Sequence, residues 1–96
     1  MTVQAVKSDL KEVRFYYAHR DLYARALAES KNQIAGLVEA YEGYMEHAPA
    51  ELFVLYHCLI VEGKSRKETI EEWQMSLTHL KVLYNRLCEY LADVQN

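Results

Sequence analysis

A single proline and three glycines in 96 residues leave the chain poor in the residues that turn a backbone on itself. A sheet-rich fold needs many such turns, so the scarcity points to helix throughout. Long apolar runs are missing too: no stretch approaches the roughly 18 uninterrupted apolar residues of a membrane span. The opening Met-Thr-Val-Gln-Ala-Val-Lys-Ser-Asp lacks the apolar core of a secretory signal. A cytoplasmic protein without a membrane partner is therefore expected. Cysteine is limited to Cys58 and Cys88, each inside an apolar segment. A disulfide is compatible with the sequence, but two buried thiols suit a cytosolic helical core better. Neither Cys-x-x-Cys nor His-x-x-x-His spacing occurs, so neither a zinc site nor any other metal or cofactor is expected.

Catalytic signatures are equally sparse. The chain has no glycine-rich phosphate loop and no nucleophile turn. His57 and Cys58 are neighbours on a helix, so their side chains diverge by about 100° and cannot form a nucleophile–base pair. Neither an enzyme nor a small-molecule substrate is implied.

What is present is a globular composition, 51% hydrophobic and 26% charged. Its length suits one compact domain but not two with independent cores. In the first half, Val6, Leu10, Val13 and Tyr17 recur at helical spacing, with Asp9 and Glu12 suited to cap the start. Leu22, Tyr23, Ala26 and Leu27 begin a second apolar patch, and Ile34, Val38, Tyr41 and Met45 form a third stripe. Helices are expected near 9–19, 21–30 and 32–47, or as one bent helix over 21–47. Five of the eight tyrosines fall in this half. They would serve either the edge of a core or a protein interface. With the Ile34–Met45 stripe they make a homodimer the expected assembly.

The second half is sharply punctuated. Pro49 is placed to open a helix at its first position, an apolar run follows from Leu52 to Val61, and Gly63 can take a positive φ just past the end. Ser65-Arg66-Lys67-Glu68 reads as a capping box opening a short second helix that stops near Gln74. Trp73 is expected to be the buried centre of that helix. Ser76 is placed to cap a third helix carrying Leu77, Leu80, Tyr84, Leu87 and Leu91 at three- and four-residue intervals. Two helices joined by a tight turn, the second longer and amphipathic, outline a helix-turn-helix.

This segment resembles the C-terminal helix-turn-helix (region 4) of sigma-70-type factors and related regulators, including small phage-encoded sigma-like proteins. The resemblance rests on Glu62-Gly63-Lys64-Ser65, then Glu68, Ile70, Glu71, Trp73, Met75, Ser76 and Leu80, and covers roughly half of the chain. Three positions depart from it. Ile70 stands where that family prefers Ala at the helix crossing, Trp73 replaces a Leu, and Gln74 replaces the Gly of the turn. The resemblance implies a transcription regulator, in a phage or prophage setting, that binds double-stranded DNA and also touches RNA polymerase.

The expected architecture is thus all-α, a small helical bundle. Residues 1–48 form an N-terminal helical extension, read as a dimerisation or docking surface, and residues 49–96 form the helix-turn-helix domain. Lys64, Arg66 and Lys67 are the candidate phosphate contacts, at a helix start where amides also favour anions. Thr78, His79, Lys81, Val82 and Asn85 are the candidate base contacts on the third helix. The net charge of −3 argues the other way, since DNA affinity comes largely from phosphate neutralisation. From Pro49 onward five Lys/Arg face seven Asp/Glu, and Glu68, Glu71 and Glu72 would have to face away from DNA. A protein-interaction module, or a phage assembly protein that keeps this fold without reading DNA, is the alternative.

Overall fold

The computed structural model describes residues 1–22 and 33–96, and all regular secondary structure among them is helical. Helix α1 spans Val3–Ala18. It begins six residues before Asp9, because no breaker intervenes and Thr2 offers the first available cap, its hydroxyl accepting from the Ala5 N–H at 3.1 Å. Asp9 therefore lies inside the helix rather than capping it, and its carboxylate accepts the Tyr41 hydroxyl at 2.8 Å. The helix expected over 21–30, with its patch at Tyr23, Ala26 and Leu27, lies from residue 23 onward outside the described residues. Helix α2 spans Gln33–Met45.

Pro49 is extended (φ −52°, ψ 141°) and immediately precedes helix α3, Ala50–Tyr56, one residue outside the position expected for it. The apolar run then continues as a wider π-helical stretch, His57–Val61, closed by the Glu62 N–H donating to the His57 carbonyl at 2.9 Å. Helix α4 is Arg66–Trp73 and helix α5 is Leu77–Val94. No described helix is long and apolar enough to cross a membrane.

One cluster of buried side chains joins both halves of the chain. α1 contributes Val6, Leu10 and Val13, α2 contributes Val38, Tyr41 and Met45, and α3 with its π-helical end contributes Leu52, Leu55, Tyr56 and Ile60. α5 supplies Leu80, Leu83, Leu87 and Leu91. The seam of α5 is thus Leu83-centred, and Leu77 in its first turn stays 43% exposed. The Ile34–Met45 stripe is used inside the single chain: Val38, Tyr41 and Met45 are buried, and Ile34 packs against the same core. That stripe is consequently not a free surface for a homodimer. The tyrosines follow the same logic, since Tyr17 donates to Glu42 at 2.6 Å and Tyr90 to the Tyr44 carbonyl at 2.9 Å.

On α4 the fully buried residue is Thr69, not Trp73, which is half-buried against the core. A short helix turns one position squarely inward, and a small residue there lets it approach the π-helical stretch closely. The Thr69 hydroxyl donates to the Ser65 carbonyl at 2.9 Å and lies 3.5 Å from the Cys58 sulfur. Both cysteines are free and buried.

Candidate nucleic-acid interface

Helix α4 starts and stops as local chemistry dictates. The Glu68 N–H donates to the Ser65 hydroxyl at 3.1 Å, and the Ser65 N–H donates back to the Glu68 carboxylate at 3.2 Å. Those Ser65 hydrogen bonds hold the Glu68 carboxyl below the usual carboxylate range. At the other end Gln74 takes the left-handed conformation (φ 52°, ψ 49°), and both its N–H and that of Met75 donate to the Ile70 carbonyl. The Ser76 hydroxyl then accepts from the His79 N–H at 3.1 Å and opens α5.

Thr78, His79, Lys81, Val82 and Asn85 are all exposed. At about 100° per residue, Lys81, Asn85, Thr78 and Val82 fall within one arc of roughly 100°, with His79 about 60° beyond its Val82 edge. Glu89 shares that arc one turn beyond Asn85, so the carboxylate-free part of this face is confined to the first half of α5.

Beside this arc lies a half-open cleft of about 690 Å³ between α1, the turn before α4, and α5. Its floor is apolar, with Leu10, Leu59, Ile60 and Leu80. Around it stand Lys7, Lys11 and Arg14 from α1, Lys64 and Arg66 from the turn and α4, and Lys81 from α5. These are six of the chain's eleven Lys and Arg residues, and no Asp or Glu lines the cleft. The acidic chain has therefore segregated its positive charge.

The six cations divide by what already holds them. Arg14 donates to the Ile60 and Val61 carbonyls at 2.8 and 3.3 Å, satisfying the open end of the π-helical stretch. Lys64 lies 2.6 Å from Glu72 and 3.4 Å from Glu62, and these partners raise its pKa, Glu72 foremost. Among the described residues Lys7, Lys11, Arg66 and Lys81 pair with no carboxylate. The Lys7 ammonium stands 6.0 Å from the centre of the Tyr84 ring. Burial pushes the Tyr84 phenol up to about 12, its neighbour Cys88 adds to the rise, and Arg66 opposes it.

Of the candidate site residues, the fold brings Lys64, Arg66, Lys81 and Asn85 together along the cleft. Lys67, Thr78, His79 and Val82 are exposed but lie outside its lining. Glu68 and Glu72 are engaged at the cap and with Lys64, and Glu71 does not line the cleft. The sequence reading missed Lys7, Lys11 and Arg14, although a signal existed. Their spacing of four and three residues puts three cations on one face of α1, beside its Val6–Leu10–Val13 stripe.

No protein family, curated protein or solved structure matches the chain.

Proposed function

We propose that the protein binds double-stranded DNA through a helix-turn-helix formed by α4 and α5 and acts in transcription regulation. The observation that carries this reading is the pairing of an exposed arc on α5 with a cation-lined, carboxylate-free cleft beside it, on a chain whose net charge is −3. Binding depends on local potential rather than total charge, and an apolar floor beneath the cations keeps that potential high. Thr78, Lys81, Val82 and Asn85 carry chemistry suited to base edges: an amide for adenine, an ammonium for guanine, and methyl groups for thymine. The reading surface is short because Glu89 ends it. Arg66 and Lys67, exposed at the start of α4, serve the phosphate backbone together with the helix amides. Lys64 contributes less, being tied to Glu72 and Glu62. The reading needs no second copy of the chain, since the Val38–Tyr41–Met45 stripe belongs to the core of one.

Titration of selected and random duplexes at low and moderate salt tests the proposal. Binding of both at low salt, with the selected duplex retained as salt rises, is the expected result. If neither binds at low salt, the fold serves protein contact instead and the proposal fails.

A further inference from the structure

We infer that α1 is part of the DNA interface: Lys7 and Lys11 form the far wall of a seat for one phosphate backbone, facing Arg66 and Lys81 across the cleft. This rests on the DNA reading above and extends it to a helix that lies outside the helix-turn-helix.

When a helix occupies the major groove, a phosphate ridge must pass along its flank. Lys81 and Asn85 belong to the reading arc and also line the cleft, so the cleft is the concavity that ridge would meet. Its opposite side is α1. Lys7 and Lys11 are one turn apart, with Cβ atoms about 5–6 Å from each other, so both can address the same strand. Neither has a carboxylate partner among the described residues. Lys11 is exposed, and the half-buried Lys7 stem rests beside Tyr84, which holds its ammonium toward the cleft without neutralising it. Arg14, the third cation of the α1 face, is held by the Ile60 and Val61 carbonyls and acts as the brace that fixes α1 against the turn.

The number of free cations sets the expected salt dependence. On a random duplex, where Lys81 has no base to read, these four cations and Lys67, which also pairs with no carboxylate among the described residues, give a slope of log affinity against log salt of about −4.5, a loss of about 500-fold between 50 and 200 mM. Without Lys7 and Lys11 the slope falls to about −2.7, a loss of about 40-fold over the same interval.

The experiment follows binding of the full chain to a fluorescent duplex of random sequence by anisotropy across that salt range. The wild type is compared with the Lys7→Gln/Lys11→Gln double variant and with Arg20→Ala. Arg20, held over the Tyr17 ring at 5.0 Å near the other end of α1, controls for the loss of one positive charge away from the cleft. The expected result is a slope reduced by about two units in the double variant and unchanged in Arg20→Ala. Equal slopes in wild type and double variant, or a drop of about one unit in Arg20→Ala, half that of the double variant, would overturn the inference while leaving the DNA reading intact. A wild type that binds no duplex overturns both. Should the double variant not fold, Lys11→Gln alone, at an exposed position, is expected to lower the slope by about one unit.

Discussion

Gly63 and Arg14, distant in sequence, determine each other's conformation. Gly63 sits at φ 72°, and a Cβ built on it would overlap the Arg14 guanidinium. Arg14 can reach the Ile60 and Val61 carbonyls only because residue 63 has no side chain. The glycine thus ends one helix and admits the side chain that ties α1 to that end.

Gly63→Ala combines two penalties. A non-glycine residue in the left-handed region costs about 1–2 kcal/mol, and displacing a charged donor from its carbonyls adds about 1.5–3 kcal/mol. A total loss of about 2.5–5 kcal/mol is expected in urea unfolding. In an Arg14→Ala background the clash is gone, so the same substitution should cost only the backbone share. A double-mutant cycle with no coupling between positions 14 and 63 would contradict the arrangement.

Gln74 presents the opposite situation, a side chain in a left-handed position with nothing requiring it there. It takes φ 52° to let both its own N–H and that of Met75 reach Ile70. Gln74→Gly relieves the strain of about 1–2 kcal/mol, offset by the 0.5–1 kcal/mol that glycine loses in backbone entropy. The variant should therefore be more stable by up to about 1 kcal/mol, read as a higher melting temperature. A lower one would mean that the Gln74 side chain stabilises the turn in another way.

Local signals were the legible part of this fold. The Ser65–Glu68 box, the Ser76 cap and the positive φ of Gly63 each depend on residues within a few positions of one another, and each appears in the structure. Partnership between elements was less legible. The Ile34–Met45 stripe looked like an interface because periodicity reveals an apolar face but not what covers it, and α1 covers it here. On size Trp73 is the natural centre of α4, whereas the close approach to the π-helical stretch selects the smaller Thr69 and leaves Trp73 partly buried. That π-helical stretch itself has no marker in the His57–Val61 sequence. The cation-lined cleft was hidden for a related reason: its charges come from residues 7–14 and 64–81, and each half taken alone is unremarkable in charge.

The capping box predicts a pH dependence with a definite sign. The folded state holds Glu68 as a carboxylate more readily than the unfolded chain does, because Ser65 donates to it. Its contribution is therefore complete above the ordinary glutamate pKa of about 4.3 and is lost as pH falls through the lower folded value. Ser65→Ala should cost about 0.5–2 kcal/mol at neutral pH. Glu68→Gln can still accept one hydrogen bond and should cost less, with its deficit shrinking as the wild-type carboxylate is protonated. Thermal melts of the three proteins between pH 7 and 3 would read this, and a Glu68→Gln deficit that stays constant across the range would rule out the ionised cap.

If the protein binds DNA as proposed, residues that read sequence are separable from residues that only hold the duplex. Asn85 and Lys81 border the cleft and belong to the exposed arc of α5, so on the proposed DNA reading they would sit where one backbone ridge gives way to base edges. Asn85→Ala should relax selection at a single base position and cost roughly 1–3 kcal/mol on the selected duplex, leaving random duplex unaffected. Lys67→Ala, by contrast, should weaken selected and random duplexes alike and lower the salt slope by about one unit. The two signatures are separable because a bidentate amide contact has a base identity, whereas a phosphate contact has none. Val82→Ala provides a third case: losing a methyl contact at 100° from Lys81 on the same helix should affect a neighbouring position and only modestly. Sites selected from a random pool with each variant would reveal the pattern. If Asn85→Ala and Lys67→Ala shift affinity uniformly across all sequences, α5 lies along the backbone rather than in the groove.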